Sequence, residues 1–82
     1  MPRVTIYTTP TCQYCKMTKQ FFLDNSVEYH EIDVSTDLKA ADAMIKKSGQ
    51  MGVPVIIVQK NGGEEIVVGF QKDKLASLLN IQ

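Results

Sequence analysis

Apolar and polar positions alternate from the third residue onward. In Arg3-Val4-Thr5-Ile6-Tyr7, Val4 and Ile6 are separated by a polar residue, and Tyr7 adds an apolar group on the other side. This predicts a strand over about residues 3 to 7, buried mostly on both faces. Thr8-Thr9-Pro10-Thr11 reads as a turn. The period then changes: Tyr14, Met17 and Phe21 recur at one helical spacing and Cys15, Thr18 and Phe22 at the adjacent one, with Lys16, Lys19 and Gln20 toward water. A helix from about Cys12 to Asp24 is predicted. Asp24-Asn25-Ser26 interrupts it, and Val27-Glu28-Tyr29-His30-Glu31-Ile32-Asp33 alternates again as a second strand. A β-α-β unit of this length implies a right-handed crossover and a parallel strand pair.

Val34-Ser35-Thr36-Asp37 supplies capping residues for a second helix, about 37 to 48, with Leu38, Ala41 and Ile45 facing inward beside Met44 and Gly49 ending it. Val53-Pro54-Val55-Ile56-Ile57-Val58 is a third strand. The turn Asn61-Gly62-Gly63 leads into Glu65-Ile66-Val67-Val68, giving an antiparallel hairpin. Gly69 breaks the strand, and Leu75, Leu78 and Leu79 mark a last helix. The order is β-α-β-α-β-β-α. Without a repeat, a linker or a low-complexity segment, the chain is expected to form one domain over residues 1–82.

Composition narrows the function classes. At 82 residues with 44% hydrophobic and 22% charged residues, the chain is large enough for a core and not a disordered tail. Nine basic and nine acidic side chains cancel, so the overall balance recruits neither nucleic acid nor an anionic membrane. Met1-Pro2-Arg3-Val4-Thr5 enters the first strand without an apolar leader, and no apolar run approaches a membrane span, which makes the cytoplasm the expected compartment. In a reducing compartment a solitary CxxC reads as redox-active or metal-binding.

That CxxC lies in Pro10-Thr11-Cys12-Gln13-Tyr14-Cys15-Lys16, which holds both cysteines of the chain. Two intervening residues let one helical turn bring the sulfurs within bonding reach. Cys12 is expected at the helix N-terminus, where unpaired N–H groups and the macrodipole favour an anion and lower a thiol's pKa. A thiolate at Cys12 can attack a disulfide, and Cys15 can displace the product. Structural thiols are the plain alternative. A metal or iron-sulfur carrier is another, with two thiolates suiting monovalent copper, but small copper-carrying domains place their hairpin between the two helices and this chain does not.

With CxxC at the start of the first helix, Val53-Pro54 at the third strand and Gly69 before the last helix, the chain resembles the glutaredoxin branch of the thioredoxin-like fold over essentially its whole length. The resemblance implies an α/β fold with a four-stranded mixed sheet flanked by three helices. It implies a thiol-disulfide oxidoreductase with Cys12 as attacking thiolate, Cys15 as resolving thiol and Pro54 as a cis-proline beside them. It implies a substrate groove of Thr11, Tyr14, Lys16, Val53, Pro54, Gly69, Phe70 and Asp73, in which the Val53 backbone pairs with a peptide-like substrate. It further implies a monomer without bound cofactor, acting on a disulfide-containing protein client and recharged by glutathione or by a thioredoxin reductase with NADPH. Three positions depart from glutathione-using members: Thr9 stands where a lysine is common, Gly52 precedes Val53-Pro54 in place of threonine, and Val68-Gly69-Phe70 replaces a Gly-Gly turn. These look closer to glutaredoxin-like reductants served by thioredoxin reductase. Gln13 replaces the usual proline between the cysteines.

Other positions have plainer readings. Lys16 either favours the thiolate or is simply solvated, and Tyr14 either lines the groove or packs over the helix start. His30 is expected at the surface, and Asp33 as a turn residue and not a proton-transfer carboxylate. Met17 and Met44 are expected in the core, Met51 beside the proline loop. Asp73 either meets a partner or complements the helix dipole.

Overall fold

The run Val55-Ile56-Ile57-Val58 occupies the centre of the fold. Four successive apolar residues can be buried only if both faces of their strand are covered, and each of the four is at most 4% exposed. The structure is a computed structural model describing residues 3–81; residues 1, 2 and 82, the ends of the expected domain, lie outside the described residues. Its elements are β1 (Arg3–Thr8), α1 (Gln13–Asp24), β2 (His30–Asp33), α2 (Leu38–Ser48), β3 (Val55–Lys60), β4 (Gly63–Val68) and α3 (Lys72–Leu78). The strands form one sheet in the order β2-β1-β3-β4, with β1 parallel to β2 and antiparallel to β3.

Pleating divides the core into two layers. Ile56 and Val58 join Val4, Ile6, Val67 and the helical residues Phe21, Phe22 and Leu75 on the face covered by α1 and α3. Val55 and Ile57 join Tyr7 and Met44 on the face covered by α2. An ion pair between Lys47 and Glu64 at 3.0 Å ties α2 to β4. Among the described residues, no helix is long and apolar enough to cross a membrane.

Several expectations are corrected. α1 buries Cys15, Thr18, Phe21 and Phe22, leaving Tyr14 62% and Met17 47% exposed, so Met17 is not a core residue. The helix is therefore turned toward the second of the two predicted stripes. On α2 only Met44 is fully buried; Ala40 and Ile45 flank it, while Leu38 stands 80% exposed in the first turn, beyond the edge of the sheet-facing stripe. The capping assignments hold, since Asp37 Oδ1 accepts the Ala40 N–H at 3.0 Å and Gly49 closes the helix at φ 74°. β2 begins at His30 because Val27 and Tyr29 pack into the helical layer, Tyr29 with its ring 5.3 Å from that of Phe22. β4 begins at Gly63: Asn61 (φ 52°) and Gly62 (φ 75°) alone make the turn, the two-residue connection whose twist matches the flanking strands. β3 begins at Val55, because Val53-Pro54 belongs to the preceding loop, where the Val53-Pro54 peptide is cis as the resemblance implied.

Candidate active site

Strand register gathers the predicted site at one edge of the sheet. Thr8 at the end of β1 lies opposite Asp33 at the end of β2, and Val55 at the start of β3 lies between Tyr7 and Val68. Three segments consequently emerge together: the loop from β1 to α1, Val53-Pro54, and Gly69-Phe70. A backbone bond from Gly69 N–H to the Pro54 carbonyl, 2.8 Å, joins the last two. Gly69 adopts φ 82°, a conformation that suits glycine, with open space where a Cβ would sit.

The dithiol is built by capping geometry. Cys12 donates its N–H to the Thr9 carbonyl at 3.2 Å, which closes the turn after β1. Its φ of −82° and ψ of 110° make it the N-cap of α1, and its Sγ accepts the Cys15 backbone N–H at 3.0 Å. Serine or threonine oxygen usually fills that place; here a sulfur does. Cys12 and Cys15 are disulfide-bonded, with Cα atoms 5.2 Å apart. They differ in access, because Cys12 is half-buried whereas Cys15 on the inner face of α1 is 1% exposed. The first turn of α1 carries no acidic residue to oppose an anionic sulfur.

Around this pair, Thr11 is exposed in the loop, Tyr14 presents its ring to solvent, and Lys16 is exposed one turn along α1. Pro54 is fully buried, whereas Val53 is half-buried against the layer of Tyr7, Met44, Val55 and Ile57. Phe70 sits with its ring edge toward Phe21, centroids 5.9 Å apart, so it packs on the core layer of α1 and α3. Asp73 is exposed in the first turn of α3, which has no side-chain cap. Met51 is 80% exposed in the loop leading to Val53.

The remaining candidates lie apart from the dithiol. His30 is exposed on the edge strand β2. Asp33 is the turn residue expected, its carboxylate accepting from Ser35 Oγ at 2.6 Å and Ser35 N–H at 2.9 Å, bonds that hold it below the usual carboxylate range. A concavity lined by Gln59, Asn61 and Glu64 is at the hairpin turn, the opposite end of the sheet. Among the described residues, no cluster of three or more His, Cys, Asp or Glu side chains is placed to hold a metal ion.

Sequence reasoning missed a support beside the motif. Thr8, read as a turn residue, is 2% exposed and donates from Oγ1 to Glu31 Oε2 at 2.8 Å, and the same oxygen takes Lys19 Nζ at 2.9 Å. This chain of contacts fastens α1 to the sheet immediately behind the cysteine loop. The available signal was the two-residue period Val4, Ile6, Thr8, which carries Thr8 onto the face that α1 covers.

A glutaredoxin family model matches residues 4–62. The chain is 37% identical over 76 residues to an uncharacterised glutaredoxin-like 8.6 kDa protein in the rubredoxin operon of Clostridium pasteurianum, covering 93% of this chain and 96% of that one. Among solved structures it is similar to a variant of the thioredoxin-like protein BC3987, at 34% identity and a TM-score of 0.85 over 100% of each chain. It is also similar to the glutaredoxin-like protein NrdH-redoxin from Escherichia coli, at 29% identity and a TM-score of 0.78 over 93% of each. The chain thus belongs to the glutaredoxin family, as a thiol-disulfide oxidoreductase of thioredoxin-like fold whose disulfide-forming pair is Cys12 and Cys15.

Proposed function

We propose that the protein is a monomeric, single-domain cytoplasmic carrier of two electrons in which Cys12 attacks and Cys15 resolves. The observation that carries this assignment is the asymmetry of the pair: the half-buried cysteine is the one whose sulfur takes a backbone N–H at 3.0 Å, and its partner is 1% exposed. In the reduced protein the Cys12 thiolate attacks one sulfur of a client disulfide. The client S–S bond breaks, its leaving sulfur takes a proton, and a mixed disulfide with Cys12 forms. Cys15 then loses its proton and attacks Cys12 Sγ, which releases the second client thiol and leaves the internal disulfide. Two electrons have passed from the dithiol to the client. Thr11, Tyr14, Lys16, Val53, Pro54, Gly69, Phe70 and Asp73 flank this event; among the described residues, no hydrogen bond engages the Val53 backbone, which leaves its N–H and C=O for an extended client segment.

The internal disulfide is recharged by a flavoprotein of the thioredoxin reductase class at the expense of NADPH, in preference to glutathione. This is supported by Thr9, Gly52 and the Val68-Gly69-Phe70 turn, and by the likeness to NrdH-redoxin, a glutaredoxin-like protein described as having a thioredoxin-like activity profile.

Two measurements test the reading. Cys15→Ser should accumulate a mixed disulfide through Cys12, while Cys12→Ser should be inactive; equal trapping through Cys15 in the Cys12→Ser protein would reverse the roles. Oxidised protein incubated with thioredoxin reductase and NADPH should be reduced, as read by a thiol-alkylation mobility shift, and glutathione should leave it oxidised. The reverse result overturns the choice of donor.

A further inference from the structure

The methionines of the described residues differ widely in access: Met44 is 1% exposed, Met17 47% and Met51 80%. Met51 belongs to neither core layer. The chain is held as far as the residue before it, since Gly49 N–H donates to the Ile45 carbonyl at 2.7 Å, Ser48 Oγ to the Met44 carbonyl at 2.7 Å, and Gln50 N–H to Ser48 Oγ at 3.1 Å. Gly52 follows, with open space where a Cβ would sit. Met51 is thus an apolar side chain left in solvent two residues before Val53. At roughly 3.5 Å per extended residue, its backbone lies within about 7 Å of the one proposed to pair with the client. A thioether is a soft group whose oxidation follows its exposure. In the disulfide form Cys12 and Cys15, the only cysteines of the chain, offer no thiol to an oxidant. The thioethers are then the reactive sulfurs, and Met51 is the most open among the described residues.

We propose that Met51 is a sulfoxidation site at which hydrogen peroxide weakens the docking of a protein client. The thioether sulfur attacks one peroxide oxygen, the O–O bond breaks and an S–O bond forms. Sulfur gives up two electrons, and the peroxide is reduced to one molecule of water. The apolar, flexible side chain becomes polar. An apolar client group beside the cysteine then loses its contact, while a small disulfide, too short to reach Met51, still meets Cys12. This control rests on the proposed pairing of the client at Val53 and adds a modification that acts on that step alone.

The test treats the oxidised protein with hydrogen peroxide, removes the peroxide, and opens the disulfide with dithiothreitol, which is then removed. Peptide mass mapping should find the added oxygen at Met51 first and at Met17 later, with Met44 unchanged. The treated protein should reduce a peptide disulfide with apolar residues beside the cysteine more slowly than untreated protein, by on the order of fivefold, as when one apolar side chain leaves a contact. It should reduce a small neutral disulfide at the untreated rate, which also reports that it is folded. Met51→Leu, compared with itself before and after the same treatment, should change with neither substrate. Oxidation of Met17 ahead of Met51, an undiminished peptide rate once Met51 is oxidised, or an equal slowing in Met51→Leu would overturn the proposal and leave the dithiol chemistry standing. Failure of the untreated protein to reduce either disulfide would remove the attack by Cys12, and the proposal with it.

Discussion

Cys12 and Cys15 are joined twice, by their sulfur-sulfur bond and by the Cys15 backbone N–H, which donates to Cys12 Sγ at 3.0 Å. The acceptor of that hydrogen bond is the sulfur proposed above to attack. Hydrogen bonds to charged groups are roughly twice as strong as neutral ones. The N-cap thus places a backbone donor on the Cys12 sulfur, and on the proposed role of Cys12 that donor favours its thiolate.

The cap itself has a measurable contribution. In the reduced protein Cys12→Ser should keep the helix cap, whereas Cys12→Ala should be less stable than Cys12→Ser by about 1 kcal/mol. Urea denaturation of the two variants under reducing conditions reads the difference, and equal midpoints would mean that the residue at position 12 contributes no cap.

A second prediction concerns acid. The Lys19 ammonium, bonded to Glu31 and helped by the Thr8 hydroxyl, holds the Glu31 carboxyl below its ordinary 4.5 against partial burial and the Asp33 charge. Because the folded value lies below the unfolded one, this stabilisation is fully present above about pH 4.5 and is lost as pH falls through the lower folded value. Asp33 and Glu64 act in the same direction, through Ser35 and Lys47 respectively. Glu31→Gln should therefore be less stable than wild type at pH about 7 by roughly 0.2–1 kcal/mol, the range of a solvated ion pair, and the gap should be smaller at pH about 3. Denaturation midpoints at the two pH values check this; a gap that does not change with pH would count against the carboxylate.

The face that α2 turns to the sheet gives a third. Met44→Ala empties a site that is 1% exposed and should cost about 2–5 kcal/mol, while Leu38→Gln, at a position 80% exposed, should stay within about 0.5 kcal/mol of wild type. Thermal unfolding of both variants decides it. A large loss at Leu38 would rotate the buried stripe back toward the spacing read from the sequence.

Much of the architecture was legible because each element carries its own local signal. Val4 and Ile6, the Asp37 cap, Gly49 and the Asn61-Gly62 turn all act through neighbours a few residues away, and each has the role expected of it. The cysteine pair was legible for the same reason, since one helical turn defines it. Helix phase was less so: Tyr14-Met17-Phe21 and Cys15-Thr18-Phe22 are both apolar stripes, and the choice between them is made by where the sheet lies. Leu38 and Met44 are chemically alike, and only the position of β3 and β4 tells which is covered. The bond from Thr8 to Glu31 spans 23 residues and depends on the parallel register of β1 and β2, so nothing local announces it.

The placement of β3 has one more consequence. Its backbone is hydrogen-bonded to β1 on one side and to β4 on the other, and Val55 to Val58 have no solvent-facing side. Amides in such a strand exchange with solvent only when the whole domain opens. The short segment Val53-Pro54 hangs directly from that strand, while Cys12 hangs from a loop and a helix end. Of these two segments, one is continuous with the core strand and the other with a loop and a helix cap.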